Sequence, residues 1–171
     1  QRHLLSSEFT HGDGSQQTKV ALNEAVILPG DTAHMIEFDT YSNEELIYEH
    51  RADGLIISTP TGSTAYALSG GGPILHPSMD ATLLLPMFPH TLSSRPIVID
   101  GNSEIRIHIN NQNVSAPHIS FDGRNKIPLK LNSDIRIRKH HRRLTLIHPE
   151  GYSYFQTLRE KLNWERRARR T

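Results

Sequence analysis

Ile105-Arg106-Ile107-His108-Ile109 sets three isoleucines two residues apart, with an arginine and a histidine between them. Successive side chains of an extended chain point to opposite faces, so this stretch predicts a β-strand with one buried and one wetted face. Ile135 and Ile137 repeat the pattern, and Leu144 to Ile147 reads as a further short strand. Working back toward the amino terminus, His118 to Phe121, Pro96 to Ile99, Gly54 to Ser58 and Leu46 to Glu49 read as strands. So does Ala33 to Tyr41, with His34, Ile36 and Phe38 on one face. Thr18 to Leu28 and His3 to Phe9 complete the set, joined by the turn signal Gly12-Asp13-Gly14, and Pro29-Gly30-Asp31 marks the next turn. Helical text is confined to Thr64–Ser69, opened by the Thr and Ser residues before it. After Ser153, Phe155, Leu158 and Leu162 fall at helical spacing and run out into Arg166, Arg167, Arg169 and Arg170. The class is mainly β: a β-sandwich of two packed sheets with short helices and a C-terminal helix.

The chain has 171 residues, enough for one sizeable core or two small ones. Hydrophobic residues at 36% and charged residues at 22% describe a soluble globular domain rather than a disordered one. No window has the apolar length of a membrane span, and no secretory leader is read at the start. The absence of cysteine excludes disulfide frameworks, thiolate nucleophiles and zinc ribbons. A net charge of +1 gives no bulk electrostatic reason to bind nucleic acid. Because the text is strand-like from Gln1 onward, the chain is expected to be a piece of a longer protein.

Chemistry concentrates in Asp53–Pro77, DGLIISTPTGSTAYALSGGGPILHP. A buried strand runs directly into Ser58-Thr59-Pro60-Thr61-Gly62-Ser63-Thr64, then a short helix, then three glycines. Hydroxyls, backbone N–H groups and glycines at such a junction suit an anionic or heavily oxygenated ligand, although a tight structural turn uses the same residues. The stretch contains neither GxxxxGK[ST] nor GxGxxG, and no lysine.

Asp53-Gly54, Ser58 to Tyr66, Ser69, Gly71-Gly72-Pro73 and His76-Pro77 together resemble the carboxy-terminal domain of bacterial ATP-dependent NAD kinases. Asn23-Glu24 resembles that family's short Asn-Glu motif at the expected distance upstream. Ser120-Phe121-Asp122-Gly123-Arg124 resembles a third element, in which Gln is more usual than Arg at the last position. Leu146-Ile147-His148-Pro149 through Tyr152-Ser153-Tyr154-Phe155 is similar to bacterial members too, so the likeness covers essentially the whole chain.

The resemblance implies an enzyme that moves the γ-phosphoryl group of ATP to the 2′-hydroxyl of the adenosine ribose of NAD, giving NADP. It implies residues 1–152 as the all-β NAD-binding domain and 153–171 as its C-terminal helix and basic tail, with the amino-terminal α/β catalytic domain absent. Asn23 and Glu24 are then expected on the ribose hydroxyls and Asp53 on the nicotinamide carboxamide. Thr64 and Ala65 would meet the adenine edge, and Tyr66 the ribose-phosphate region, with Ala67, Leu68 and Ser69 completing that wall. Arg51 and His34 would face the ligand across a subunit boundary, and Arg124 would reach a phosphate or point into water. Mg²⁺ or another divalent metal would accompany ATP, held chiefly by the full enzyme. A homodimer or homotetramer in the cytoplasm, with no membrane or nucleic-acid partner, completes the expectation.

Taken as bare residue types, Asn23 and Glu24 read as solvent-facing strand residues, Asp53 as a turn residue and Tyr66 as half-buried packing. The family's catalytic aspartate lies in a Gly-Gly-Asp-Gly motif upstream of this chain. His11-Gly12-Asp13-Gly14 imitates it, but between two strands Asp-Gly is a hairpin turn, so no catalytic residue is assigned here. The eleven histidines lack zinc-ligand spacing, so no metal ligands are assigned. Two alternative readings stand beside the kinase: a nucleic-acid binder using the basic run Arg136–Arg143, and a purely oligomer-forming β domain.

Overall fold

A computed structural model describes residues 1–31, 34–91 and 93–164. Among the described residues twelve strands form two six-stranded antiparallel sheets. The first sheet, in spatial order, is β2 (Gln16–Ala21), β1 (Arg2–Thr10), β12 (Ser133–Leu144), β9 (Ile105–Ile109), β4 (Ile36–Ser42) and β5 (Glu45–Ala52). The second is β11 (Arg124–Pro128), β10 (His118–Phe121), β3 (Glu24–Leu28), β6 (Gly54–Ser58), β7 (Ala81–Met87) and β8 (Ile97–Asp100).

The alternating isoleucines explain why the sheets pack. Ile105, Ile107 and Ile109 are all buried and join Leu5, Phe9, Ile36, Phe38, Ile135 and Ile137 on the inner face of the first sheet. Ala25, Ile27, Leu55, Ile57, Leu84, Ile119 and Phe121 meet them from the second. Phe9 and Phe121 stack across the gap with centroids 5.8 Å apart. At one margin Lys139 of β12 reaches both carboxylate oxygens of Asp80, just before β7, at 2.8 and 2.7 Å, tying one sheet to the other.

The second sheet is covered on its other face as well. Val26, Ile56, Leu83 and Leu85 point away from the sandwich and are buried under Ala67 and Leu75. The segment carrying these two lids begins where β6 ends, in a 3-10 turn (Gly62–Thr64) and a four-residue helix α1 (Tyr66–Ser69). Burial on both faces is why GLIIS and ATLLLPM show no alternation.

Several sequence expectations change in detail. Thr18–Leu28 is two strands, because the chain leaves the first sheet after Ala21 and enters the second at Glu24. β7 and β11 have no counterpart in the sequence reading; a leucine run containing Pro86 does not declare itself as a strand. Leu144 ends the long β12, and residues 145–147 are not in a strand. The strand expected from Ala33 starts at Ile36; His34 is exposed ahead of it, and Ala33 lies outside the described residues. The expected Thr64–Ser69 helix is split at Ala65, with no side-chain cap on either piece. Helix α2 (Tyr154–Leu162) begins as expected: Ser153 Oγ accepts from the N–H of Gln156. The tail arginines Arg166, Arg167, Arg169 and Arg170 lie outside the described residues.

Candidate functional site

The start of β3, the end of β6 and the end of β10 meet at one end of the second sheet, with Glu24 opposite Ser58 and Ala25 opposite Phe121. The sheet-to-sheet crossing at Leu22–Asn23 leaves three consecutive N–H groups without ladder partners, and Asp122 takes them all. Its Oδ2 accepts from Leu22 N–H at 2.9 Å; its Oδ1 accepts from Asn23 at 2.7 Å and Glu24 at 3.2 Å. The backbone N–H of Asp122 returns a bond to the Glu24 carbonyl at 3.1 Å, from a left-handed conformation with φ 50°.

The loop after β6 closes the other side. Thr59 donates its N–H to the Asn23 carbonyl at 2.8 Å and its hydroxyl to the Leu22 carbonyl at 2.7 Å. The Thr59 hydroxyl accepts from Gly62 N–H at 3.0 Å, and Ser58 Oγ donates to the Thr59 carbonyl at 2.9 Å. Ser63, fully buried, donates to the Pro60 carbonyl at 2.7 Å and accepts from Leu75 N–H at 2.9 Å. That one hydroxyl ties the loop to the strap over the outer face. Ser63→Ala strands both backbone groups in a dry place and is expected to cost about 2–3 kcal/mol by urea unfolding. A loss below about 0.5 kcal/mol would mean that water takes over both bonds.

Within this frame Glu24 is 4% exposed, and its Oε2 has no hydrogen-bond partner among the described residues. Burial, reinforced by the neighbouring Asp122 charge, raises its carboxyl from 4.5 to about 7. A strand residue turned to solvent would show neither property. A buried carboxyl with a free oxygen, beside a half-buried amide on Asn23, is equipped to hold a diol through donor and acceptor bonds.

The other sequence-predicted residues divide into groups. Thr64, Tyr66 and Ser69 are exposed, and Ala65 and Leu68 are half-buried. Ala67 is fully buried against the outer face of the sheet, so it offers a ligand backbone only. Tyr66, Ser69 and Gly71 line a cleft of about 500 Å³ with Met87, Phe88 and Arg95 opposite. Asp53 stands at the far end of β6 from Ser58, roughly 16 Å away along five extended residues. It is half-buried, and its N–H bonds the Met87 carbonyl at 2.9 Å beside that cleft. Arg124 is exposed and opens β11 across the Asp122-Gly123 turn. Arg51 is exposed on β5, its Nε 3.9 Å from the Glu37 carboxylate, and His34 sits 3.8 Å from Asp31. Neither belongs to the hydrogen-bonded cluster around Glu24. Asp122 is the member that residue-by-residue reading missed as a site residue; its signal was its place in the Ser120–Arg124 element, of which only Arg124 was carried over as a ligand contact.

Asp13 is a turn residue. It accepts from Ser15 N–H at 2.8 Å and Ser15 Oγ at 2.7 Å in the β1–β2 hairpin, bonds that lower its carboxyl to about 2. The first half of the basic run, Arg136–Lys139, is occupied as well. Arg136 bonds Glu104 and Glu44, Arg138 bonds Glu104, and Lys139 bonds Asp80. These cations face carboxylates, which disfavours a phosphate track.

Residues 22–149 match the family described as ATP-NAD kinase C-terminal domain, a span containing the Asn23–Glu24 crossing, the β6 loop and Asp122. The chain belongs to this family. The NAD kinase of Coxiella burnetii (strain Dugway 5J108-111) is 54% identical over 98% of the chain, and that of Klebsiella pneumoniae (strain ATCC 700721 / MGH 78578) 50% over 97%. In each case the chain spans only 56% of the relative's length, so it corresponds to a carboxy-terminal fragment of the NAD kinases it matches. The same fold occurs in the crystal structure of yeast NADH kinase complexed with NADH (TM-score 0.85, 27% identity, 99% of this chain and 52% of that one). It occurs again in an NAD kinase from Archaeoglobus fulgidus in complex with ATP (TM-score 0.78, 25% identity, 95% and 60%). Among the described residues no helix is long and apolar enough to cross a membrane.

Proposed function

We propose that this chain is the dinucleotide-binding half of a cytoplasmic, homo-oligomeric ATP-dependent NAD kinase, and that Asn23 and Glu24 seat the adenosine ribose whose 2′-hydroxyl is phosphorylated. The carrying observation is the buried Glu24 carboxyl with an unpartnered oxygen, a costly arrangement that a ligand hydroxyl would relieve. The cleft lined by Tyr66, Ser69 and Met87 borders Asp53, whose N–H bonds the Met87 carbonyl. In the reaction a bond forms between the ribose O2′ and the γ-phosphorus, and the γ-phosphorus bond to the bridging oxygen of ADP breaks. The hydroxyl proton passes to a carboxylate supplied by the amino-terminal domain. Such transfers depend on positioning and charge stabilisation, and this chain supplies the position of the acceptor.

Among the described residues no three His, Asp or Glu side chains converge to hold a metal ion. The divalent ion is proposed to arrive with ATP and to be held chiefly by the full enzyme. Alone, the chain is expected to bind NAD weakly or not at all and to be inactive as a kinase. The test uses the full-length kinase: Asp53→Ala is expected to raise KM for NAD about tenfold, the loss of one charge-assisted contact, with KM for ATP unchanged. A titration with a short DNA duplex is expected to give no heat. An unchanged KM for NAD, or salt-dependent DNA binding, would overturn the reading.

A further inference from the structure

We propose that Asp122 is the positioning residue of the ribose seat: one carboxylate holds the N–H groups of Leu22, Asn23 and Glu24 and so fixes the backbone from which Asn23 and Glu24 meet the ligand. This inference rests on the reading of the chain as the NAD-binding half of the kinase. The geometry carries it. Three consecutive donors converge on two oxygens at 2.7–3.2 Å, and the return bond from Asp122 N–H to the Glu24 carbonyl closes a ring between β10 and β3. Neither partner forms this arrangement alone, since the crossing between sheets is what frees the three donors. A structural cap would serve equally well far from any ligand; this one sits on the two residues whose side chains the reaction needs.

Asp122 also acts through its charge. The groups facing Glu24 are Asp122 from the β10–β11 turn, neutral Ser58 at the end of β6 and Thr59 just after it, and Asn23 beside it; Arg124 beyond the turn is exposed. The one carboxylate among them accepts three backbone N–H bonds, and its charge opposes ionisation of Glu24. At neutral pH, Glu24 can therefore donate to one ribose oxygen while its other oxygen accepts. Removing the Asp122 charge makes Glu24 ionise at lower pH.

Asp122→Asn keeps an oxygen for Asn23 and Glu24 but loses the charge. In the full-length kinase it is expected to raise KM for NAD about tenfold, leave KM for ATP unchanged, and move the pH midpoint assigned to Glu24 downward by about one unit. That midpoint is read from kcat/KM for NAD and from the Glu24 carboxyl carbon by NMR. If the variant does not fold, the wild type still gives an answer. The amide signals of Leu22, Asn23 and Glu24 are expected to titrate together with the Asp122 carboxyl carbon as that group is protonated. An unchanged KM and midpoint in Asp122→Asn, or three amides that titrate independently of Asp122, would overturn the inference. Glu24→Gln separates the two levels. If it leaves KM for NAD unchanged, the ribose-seat reading itself fails; if it raises KM while Asp122→Asn moves nothing, only the role of Asp122 fails.

Discussion

Gly62→Ala is expected to destabilise the protein by about 3 kcal/mol or more and, in the full-length kinase, to abolish the proposed NAD binding along with it. A Cβ at Gly62 would lie 2.2 Å from the Asn23 carbonyl oxygen, 2.5 Å from its carbon and 2.6 Å from Ser58 Oγ. Two of these atoms are backbone at the crossing between sheets, held in place by Thr59 and by Asp122, so nothing flexible can yield. The loop would have to lift away, breaking the Gly62 N–H bond to Thr59 Oγ1 and opening the wall beside Glu24. At this chain length the melting temperature should fall by roughly 6–12 °C. Gly71→Ala is the control: its Cβ meets nothing within 4 Å, but its φ of 83° makes alanine cost about 1 kcal/mol. Equal losses at the two positions would show that the close approach to Asn23 is not what makes Gly62 necessary.

That contact also shows where sequence reading stops. Ile105–Ile109 was legible because one face is buried and one is wet, so the period of two is written in the residue types. Ala81–Met87 was not, because Leu83 and Leu85 are buried under the strap that follows β6 while Leu84 faces the sandwich, and a continuous leucine run has no phase. The split of Thr18–Leu28 was hidden for a related reason: Ala21 and Ala25 both end up buried, and nothing in the text marks the change of sheet between them. The candidate site was legible only as far as its motifs resemble a family. Asn23 and Glu24 as bare residues look like any polar strand start. What distinguishes Glu24 is its environment, built by Ser58 from 34 residues downstream and Asp122 from 98. Asp122 reads locally as a turn residue, and its function is defined entirely by donors about a hundred positions away.

Glu24→Gln is expected to make the protein more stable at pH 8 and nearly useless to its ligand, two effects that follow from the same burial. In the folded state Glu24 keeps its proton up to about pH 7, whereas the unfolded chain releases it near the ordinary value of 4.5. A raised folded-state pKa contributes stability that is complete below 4.5 and is lost as pH climbs to about 7; above that the carboxylate is ionised in both states and the cost stays constant. Glutamine is neutral throughout, so this slope should vanish in the variant. Its gain at pH 8 should be about 1–2 kcal/mol, the full linkage reduced for water reaching the rim of the seat. Thermal unfolding of both proteins at pH 4.5, 6 and 8 reads the effect directly. Glutamine, however, presents one fixed acceptor and a fixed amide where the carboxyl offers two interchangeable oxygens, so in the full-length kinase kcat/KM for NAD should fall about a hundredfold. A residue that weakens the fold above neutrality and is replaced at no structural loss is maintained by what it binds. Loss of stability at pH 8 in Glu24→Gln would instead assign the carboxyl to holding β3 against β6, and would remove the main support for placing the ribose there.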